Sequence, residues 1–190
     1  GSEMCIRDRP DPNACNIILD PGLAFGTGTH PTTAMCLEWL ADNPMKGLSI
    51  IDYGCGSGIL AIAALSLGAK LAICVDNDPQ ALIATTANAE QNGIDASKLM
   101  TCLPEALDDT LEQLFGSAKH GCDLVIANIL AGPLVTLAPR LIDLLHDGGQ
   151  IMLSGLLSEQ CTAVSTAYAS TMTMELPYST GQWIRLNGQK

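Results

Sequence analysis

The feature that most constrains the fold is a glycine-rich turn that directly follows a short apolar run. Residues 50–53 read Ile-Ile-Asp-Tyr, and glycine then occupies positions 54, 56 and 58. An apolar run of this length is typical of a buried strand, and alternate glycines allow the backbone to turn sharply and to approach a ligand closely. We therefore predict a strand over Ser49–Tyr53 that turns directly into a helix beginning at Ile59.

The spacing of these glycines separates two kinds of nucleotide site. The fingerprint of dinucleotide-binding proteins, G-x-G-x-x-G, would require glycine at position 59, where the chain has Ile59. The pattern present is D-x-G-x-G-x-G, which starts at Asp52. It resembles the cofactor loop of the class I S-adenosylmethionine-dependent methyltransferases, but glycine-rich turns also occur for packing reasons alone.

Strands that alternate with helices are predicted along the rest of the chain, as in a parallel sheet covered on both faces. The further predicted strands are Leu71–Val75, Leu99–Leu103, Asp123–Ala127 and Gln150–Ser154. The predicted helices run from Pro31 to Asn43, Ile59 to Leu67, Pro79 to Asn92, Leu107 to Phe115, Leu134 to Leu145 with a break at Pro139, and Ser158 to Ala169. Two last segments, Thr171–Leu176 and Gln182–Leu186, predict an antiparallel hairpin at the sheet edge.

A chain of 190 residues is long enough for one α/β domain with a well-formed core. Residues 1–10 have no strand or helix period and begin with Gly-Ser, so we expect a disordered or expression-derived leader before a single domain over residues 11–190. The sequence has no apolar stretch long enough to span a bilayer and no secretory signal pattern at its start. We therefore expect a cytoplasmic protein without a membrane partner.

The net charge of −11, from 20 acidic against 9 basic residues, bears on the choice of partner. Such a surface repels the phosphate backbone of a nucleic acid, so direct binding to nucleic acid is not expected. It favours a basic protein partner, although acidity also serves solubility alone in many cytosolic domains. The eight cysteines form no C-x-x-C pair and have no nearby pair of histidines, so we expect reduced core thiols and no metal site.

Three strand ends carry the polar residues of a candidate site. Parallel sheets bind ligands beyond the carboxyl ends of their strands, so the glycine turn, Asp76 and Asn128 meet if the first strand lies between the second and the fourth. Asp76 lies 22 positions after Gly54, where a carboxylate accepts both hydroxyls of a ribose. The alternative is that Asp76 caps the next helix, but Asp78 fits that cap better.

Asp52 and Asn128 each have two interpretations. Asp52 either pairs with an ammonium group of the ligand or holds the loop through backbone N–H groups. Asn128 does not titrate, but its side-chain oxygen and a neighbouring backbone carbonyl can accept hydrogen bonds from an amine and direct the nitrogen lone pair at a methyl group. Asn128 could also be only a polar residue that ends a strand.

Three segments together resemble the PrmA family, the bacterial methyltransferases of ribosomal protein L11. They are LDPGLAFGTGTHPTT at residues 19–33, DYGCGSGILAIA at 52–63 and ANILAGPL at 127–134. The resemblance extends from about Asp11 to the C-terminus, and the loop Phe25–Thr33 is its most distinctive part. It implies a class I methyltransferase fold, which is a Rossmann-like, mostly parallel seven-stranded sheet with an antiparallel C-terminal hairpin strand and helices on both faces.

This resemblance implies transfer of methyl groups from S-adenosylmethionine to lysine side chains and to the N-terminal amine of ribosomal protein L11. Its implied catalytic residues are Asn128 and His30, although His30 also suits a role in capping or packing the loop. Phe25 would cover the methyl site or belong to the core. The implied cofactor-binding residues are Phe25, Gly26, Thr27, Thr33, Gly54, Gly56, Asp76 and Asn128.

Members of the family normally carry an N-terminal domain that recruits the ribosomal protein. Because few residues precede Asp11, we expect a catalytic domain without that recruiting domain, and therefore impaired substrate docking. One alternative is a methyltransferase of another amine, such as a nucleobase or a small molecule. Asn128 is followed by Ile129 and Leu130, however, where nucleobase enzymes have two prolines and an aromatic residue. The other alternative is a cofactor-binding module without catalytic activity.

Overall fold

The computed structural model describes residues 17–19, 30–116 and 121–190. The helices in these ranges are α1 Pro31–Asp42, α2 Ile59–Ser66, α3 Pro79–Gln91, α4 Leu107–Phe115, α5 Ala131–Thr136, α6 Ala138–Asp143 and α7 Cys161–Ala169. The strands are β1 Ser49–Tyr53, β2 Leu71–Val75, β3 Leu99–Cys102, β4 Cys122–Asn128, β5 Leu145–Leu157, β6 Thr173–Met174, β7 Tyr178–Thr180 and β8 Trp183–Gln189. Short 3-10 turns occupy Ala96–Lys98, Pro104–Ala106 and Ser158–Gln160.

The strands form one sheet in the order β3-β2-β1-β4-β5-β8-β6, and β7 also pairs with β8. Strands β1 to β5 are parallel, whereas β8 runs antiparallel to β5, β6 and β7. Both β6 and β7 pair with the side of β8 that faces away from β5, and Pro177, which has no N–H to donate, lies between them. The eight strands thus form a seven-stranded sheet with a broken edge strand, which confirms the predicted fold class.

Three sequence predictions have clearly wrong bounds. The strand predicted at Gln150–Ser154 is β5, which extends over Leu145–Leu157. In the predicted hairpin, residues 171–176 were expected to pair with the strand that contains Trp183. The strand that pairs at Trp183 is instead β7, because the chain reverses tightly at Gly181, whose φ is +61°. Strand β6 pairs near the other end of β8.

In place of the predicted helix Leu134–Leu145, the structure has two short helices, α5 from Ala131 and α6 from Ala138. Leu145, the last residue of the predicted helix, is the first residue of β5. Gly148 and Gly149 lie within β5 rather than ending a helix.

The two faces of the sheet bury two separate apolar clusters, as the alternation of strands with helices predicts. Adjacent residues of one strand serve opposite faces: Ile50 packs with α1 and α2, and Ile51 packs with α4 to α7. Helix α2 is apolar on all sides and buried along almost its whole length, which fits its position directly after the glycine turn. The buried side of α1 includes Trp39, whereas Ala41 is exposed.

Five of the six cysteines in the described ranges are buried free thiols, as predicted for core residues. A hydrogen bond with the Cys55 thiol and burial both raise the pKa of Cys74 well above its ordinary value. The Cys74 thiol therefore stays protonated and packs as a small apolar group. Within the described part of the chain, no three His, Cys, Asp or Glu side chains are grouped closely enough to hold a metal ion.

Of the helices that the structure describes, none is both long enough and apolar enough to cross a membrane. The short segment 17–19 belongs to no helix or strand, and it contacts the C-cap of α3, Asn92. The side chain of Asn92 accepts a hydrogen bond from the Ile18 nitrogen at 2.8 Å and donates one to the Ile18 oxygen at 2.6 Å. This pairing fixes the segment that precedes residue 20.

A charged cluster lies at the amino end of the sheet, remote from the candidate site. The Asp123 carboxylate accepts hydrogen bonds from the nitrogen and the hydroxyl of Ser49 at 2.7 and 2.6 Å. Nε2 of His146 lies 3.0 Å from the same carboxylate, and Nδ1 lies 2.7 Å from the Asp147 carbonyl oxygen. Both partners are acceptors, so they favour the protonated imidazole, in which both ring nitrogens donate. The hydrogen bond to Asp123 accordingly raises the pKa of His146 above 6.5.

This cluster predicts a pH-dependent contribution to stability. Because the pKa of His146 is raised on folding, its contribution is complete below about pH 6.5 and is lost as the pH rises through the raised value. Exposed pairs contribute about 0.2–1 kcal/mol, so His146→Gln should lower Tm by about 1–4 °C at pH 6 and by nothing at pH 9. Calorimetric unfolding of both proteins at the two pH values tests this, and an equal Tm difference at both would contradict it.

Candidate functional site

The sheet brings the predicted site residues to one edge. Strand β1 pairs with β2 on one side and with β4 on the other, as the sequence interpretation required. The carboxyl ends of these strands lead into the glycine turn, Asp76 and Asn128, respectively. A ligand placed beyond this edge would therefore meet all three.

The three glycines of the turn adopt a conformation that other residues rarely reach. Their φ angles are +81° at Gly54, +54° at Gly56 and +78° at Gly58. A Cβ atom on Gly54 would lie 2.3 Å from Cγ2 of Ile129, and one on Gly58 would lie 2.7 Å from Cγ2 of Thr85. Backbone conformation and packing both require glycine at these two positions, so packing accounts for part of the motif.

Asp76 holds the turn and keeps acceptor capacity for a ligand. One of its oxygens accepts from the Gly56 nitrogen at 2.9 Å, and the other accepts from the Asp78 nitrogen at 3.0 Å. A carboxylate offers about four lone-pair positions, so two remain for further donors. The cap of α3 is formed by Asp78, which accepts from the Gln80 nitrogen at 2.9 Å, and this confirms the assignment of the cap.

Asp52 is buried beneath the turn with a relative exposure of 1%. Its Oδ2 accepts a hydrogen bond from the Ala61 nitrogen at 3.2 Å, which ties β1 to the first turn of α2. The pKa of Asp52 is raised to about 7, mainly by burial and to a smaller extent by the nearby negative charge of Asp76, while the bond from Ala61 opposes the rise. Of its two interpretations, the backbone contact is the one that the structure shows.

Asn128 meets the first turn of α1 across the site. Its Nδ2 donates to Oγ1 of Thr33 at 3.2 Å, although 95 positions separate the two residues in the sequence. Thr33 is buried, and Asn128 lies beside Ser154 in the sheet register. Because Nδ2 is engaged by Thr33, the side-chain oxygen is the group of Asn128 that remains to accept from an amine.

His30 serves as the N-cap of α1, and Pro31 opens that helix, as predicted. Its Nδ1 accepts from the Thr32 nitrogen at 3.4 Å and lies 2.8 Å from the Thr32 hydroxyl. The ring packs edge-on against Trp183, with 4.7 Å between ring centroids. Only Nε2 is left for proton transfer, so the contacts favour the capping interpretation. Phe25, Gly26 and Thr27 lie outside the described residues.

Two polar residues of α3 complete the support of the turn, and the sequence interpretation missed both. Thr85 Oγ1 donates to the Gly56 oxygen at 3.1 Å, and Asn88 Nδ2 donates to the Ser57 oxygen at 2.9 Å. Both side chains are buried on the inner face of α3, which also contains Ala81, Ala84 and Ala89. Polar residues at helical spacing within a stripe of alanines were the signal that could have identified them.

Ile129, which follows Asn128, is fixed from two sides. Its side chain fills the space that a Cβ on Gly54 would need, and a Cβ on Gly155 would lie 2.3 Å from its carbonyl oxygen. Gly155 has a φ of +86°, so glycine is required there by conformation as well. The two glycines thus form a slot that sets the path of the chain after β4. Gly155 has no distinguishing sequence context, and its role appears only in the structure.

Residues 4–190 match the sequence model of one family, described as ribosomal protein L11 methyltransferase (PrmA). A ribosomal protein L11 methyltransferase from Saccharophagus degradans is 52% identical over 181 residues, which cover 95% of this chain and 59% of that protein. The chain therefore spans about three fifths of the length of the curated relatives that it matches.

Solved structures agree with this match. The ribosomal protein L11 methylase from Lactobacillus delbrueckii subsp. bulgaricus superposes with a TM-score of 0.76 and 35% identity, covering 90% of this chain and 82% of that one. The putative methyltransferase SMU.776, solved in complex with SAH, gives a TM-score of 0.68 at 11% identity and covers 86% of this chain and 50% of that one, which supports the fold alone. The fold is that of the class I methyltransferases.

Proposed function

Because the chain belongs to the ribosomal protein L11 methyltransferase (PrmA) family, we propose that it transfers methyl groups from S-adenosylmethionine to amines of ribosomal protein L11. The acceptors are lysine side chains and the N-terminal amine. The observation that carries the proposal is the meeting of two fixed groups at one sheet edge. These are the glycine turn held by Asp76 and the amide of Asn128 held by Thr33.

The residues present fit this cofactor. The positive φ angles of Gly54, Gly56 and Gly58 give the turn a tight path, and the adenosine end would lie beside the backbone of this turn. Asp76 has two acceptor positions left, which match the two hydroxyls of a ribose. We assign Thr33 and Asn128 to the methyl-donor end, and Phe25, Gly26 and Thr27 to the loop that completes the site.

When bound, S-adenosylmethionine would supply a methyl group on a positively charged sulfur. The nitrogen of an amine would bond to the methyl carbon from the side opposite the sulfur as the carbon–sulfur bond breaks. The protein must therefore hold a neutral amine with its lone pair directed at that carbon. Asn128 does so by accepting an N–H of the amine at its side-chain oxygen. A free lysine has a pKa of about 10.4, and removal from water favours its neutral form, so the proton leaves to water as the acceptor docks. His30 then acts as the cap of α1 and not as a base.

The charge of the chain and the nature of the family set the expected partner and location. A net charge of −11 attracts a basic ribosomal protein and disfavours direct contact with nucleic acid. The location is the cytoplasm, where ribosomal proteins are made. We expect the chain to bind S-adenosylmethionine and to transfer its methyl group to L11.

Transfer of a tritiated methyl group tests the proposal. Purified ribosomal protein L11, a nucleic-acid fraction and small primary amines are incubated separately with the chain and labelled S-adenosylmethionine. We expect label in the protein and none in nucleic acid. Label found only in nucleic acid, or only in small amines, would show that this class of molecule is the acceptor and that L11 is not. Tight cofactor binding without transfer to any of them would identify a binding module.

A further inference from the structure

We propose that Leu130 determines acceptor specificity by packing along the methylene stem of a lysine side chain. The inference rests on the proposed function and narrows it, because it separates the two kinds of acceptor amine. A lysine has four methylene groups behind its nitrogen, whereas an N-terminal amine has none. A residue that contacts this stem would favour the first acceptor over the second.

Leucine at position 130 is explained neither by the local structure nor by burial of its side chain. It is the N-cap of α5, with φ −63° and ψ 151°, and its side chain makes no capping hydrogen bond. Serine, threonine, aspartate and asparagine are the residues that stabilise this position. Leu130 is also 73% exposed, whereas Ala131 and Leu134 behind it are buried. Departures from two local rules at one position are expected at functional sites.

The backbone that carries Leu130 is rigid. Ile129 lies in the slot between Gly54 and Gly155, where neither glycine could gain a Cβ without a collision. On the other side, the Leu130 oxygen accepts from the Leu134 nitrogen at 3.1 Å as α5 begins. The exposed side chain is therefore held at a defined place on the rim and is not part of a loose surface loop.

This place suits the stem of an acceptor that is bound at Asn128. Two residues of chain span at most about 7 Å, and the chain bends at Ile129, so Leu130 lies within that distance of Asn128. The stem of an extended lysine covers about 6 Å between Cα and nitrogen. When the nitrogen of a lysine donates to the Asn128 oxygen, the methylene stem behind that nitrogen would therefore pass beside Leu130. Contact there would remove apolar surface from water on both partners.

The test compares Leu130→Ser with Leu176→Ser. Leu176 is 92% exposed and lies between β6 and β7, so the control makes the same chemical change far from Asn128. The two substrates are an N-acetylated peptide with one lysine and a lysine-free peptide with a free N-terminus. We expect Leu130→Ser to lower kcat/KM for the lysine peptide about tenfold, mainly through KM, and to change the other less than about twofold.

Two measurements without turnover accompany the kinetics. Binding of the lysine peptide to the chain loaded with S-adenosylhomocysteine should weaken about tenfold in Leu130→Ser and stay unchanged in Leu176→Ser. Since serine can cap α5, Leu130→Ser should keep or raise the Tm. An unchanged preference between the peptides, or an equal loss on both, would overturn the inference alone. Absence of transfer and of peptide binding in the parent chain would overturn the proposed function together with it.

Discussion

Asp76→Ala is expected to weaken binding of S-adenosylmethionine by at least about 100-fold. The substitution removes two acceptor positions that face the ligand, and each hydrogen bond to a charged group contributes about 1.5–3 kcal/mol. It also leaves the Gly56 nitrogen without the carboxylate that holds the turn in place. Isothermal titration of the purified chain with the cofactor measures the loss directly.

Asp78→Ala is the matched control, since it removes the neighbouring carboxylate from the cap of α3. It should cost about 1 kcal/mol of stability and leave the cofactor affinity within about threefold. Asp76→Asn separates the two roles of Asp76, because one amide oxygen can still accept from the turn but only part of the ribose contact survives. Full affinity in Asp76→Ala would remove Asp76 from the ribose role and leave it as a support of the turn.

The parts of the fold that the sequence predicted are those set by neighbours along the chain. Strands β1 and β2 have the predicted bounds because a short apolar run ends in each case at glycine or at a cluster of acids. The starts of α1 and α3 were predictable because a capping side chain precedes a proline at both. These signals act within a few residues, so no tertiary contact is needed to interpret them.

The parts that were missed depend on contacts between distant segments. The polar side chains of Thr85 and Asn88 serve carbonyls of the turn about thirty positions earlier. Glycine is required at position 155 because its φ is +86° and because the backbone of Ile129, from the adjacent strand end, packs against it. Periodicity identifies a buried face but not the group that it meets, so such residues resemble ordinary helix or strand residues in the sequence.

The candidate site was predicted to a different degree for each residue. Strand order and spacing alone brought Asp76 and Asn128 to the same edge, and the sheet confirms that placement. Thr33 entered only through family resemblance, because nothing in its local sequence points to a partner 95 positions away. The contact between Thr33 and Asn128 explains physically why α1 belongs to the site: it fixes which end of the amide faces the acceptor.

The groups that we assign to the ligand are held in place by other groups of the protein. The turn is supported from α3 by Thr85 and Asn88, and Asn128 is held by Thr33. Ile129 is held by the glycine slot. Such support places reacting atoms before the ligand arrives, so less ordering is required at the moment of reaction. A defect in support should therefore reduce turnover even where the ligand contacts remain.

Asn128→Ala is expected to reduce methyl transfer about 100- to 1,000-fold while the affinity for S-adenosylmethionine changes less than about tenfold. The amide oxygen aligns the amine in the displacement, and loss of one well-placed hydrogen-bonding group in an active site costs about 2.7–4 kcal/mol of barrier. Single-turnover transfer to ribosomal protein L11, together with calorimetric binding of the cofactor, separates the two effects.

Asn128→Asp and Thr33→Val sharpen this prediction. Aspartate keeps an acceptor oxygen but adds a negative charge that stabilises the ammonium form, so it should raise the pKa of the bound amine and move the activity profile to higher pH. Thr33→Val leaves Asn128 in place without the hydroxyl that orients it, so its transfer rate should fall between those of the parent and Asn128→Ala. A cofactor affinity that falls as much as the transfer rate in Asn128→Ala would make Asn128 a cofactor ligand and not the group that positions the acceptor.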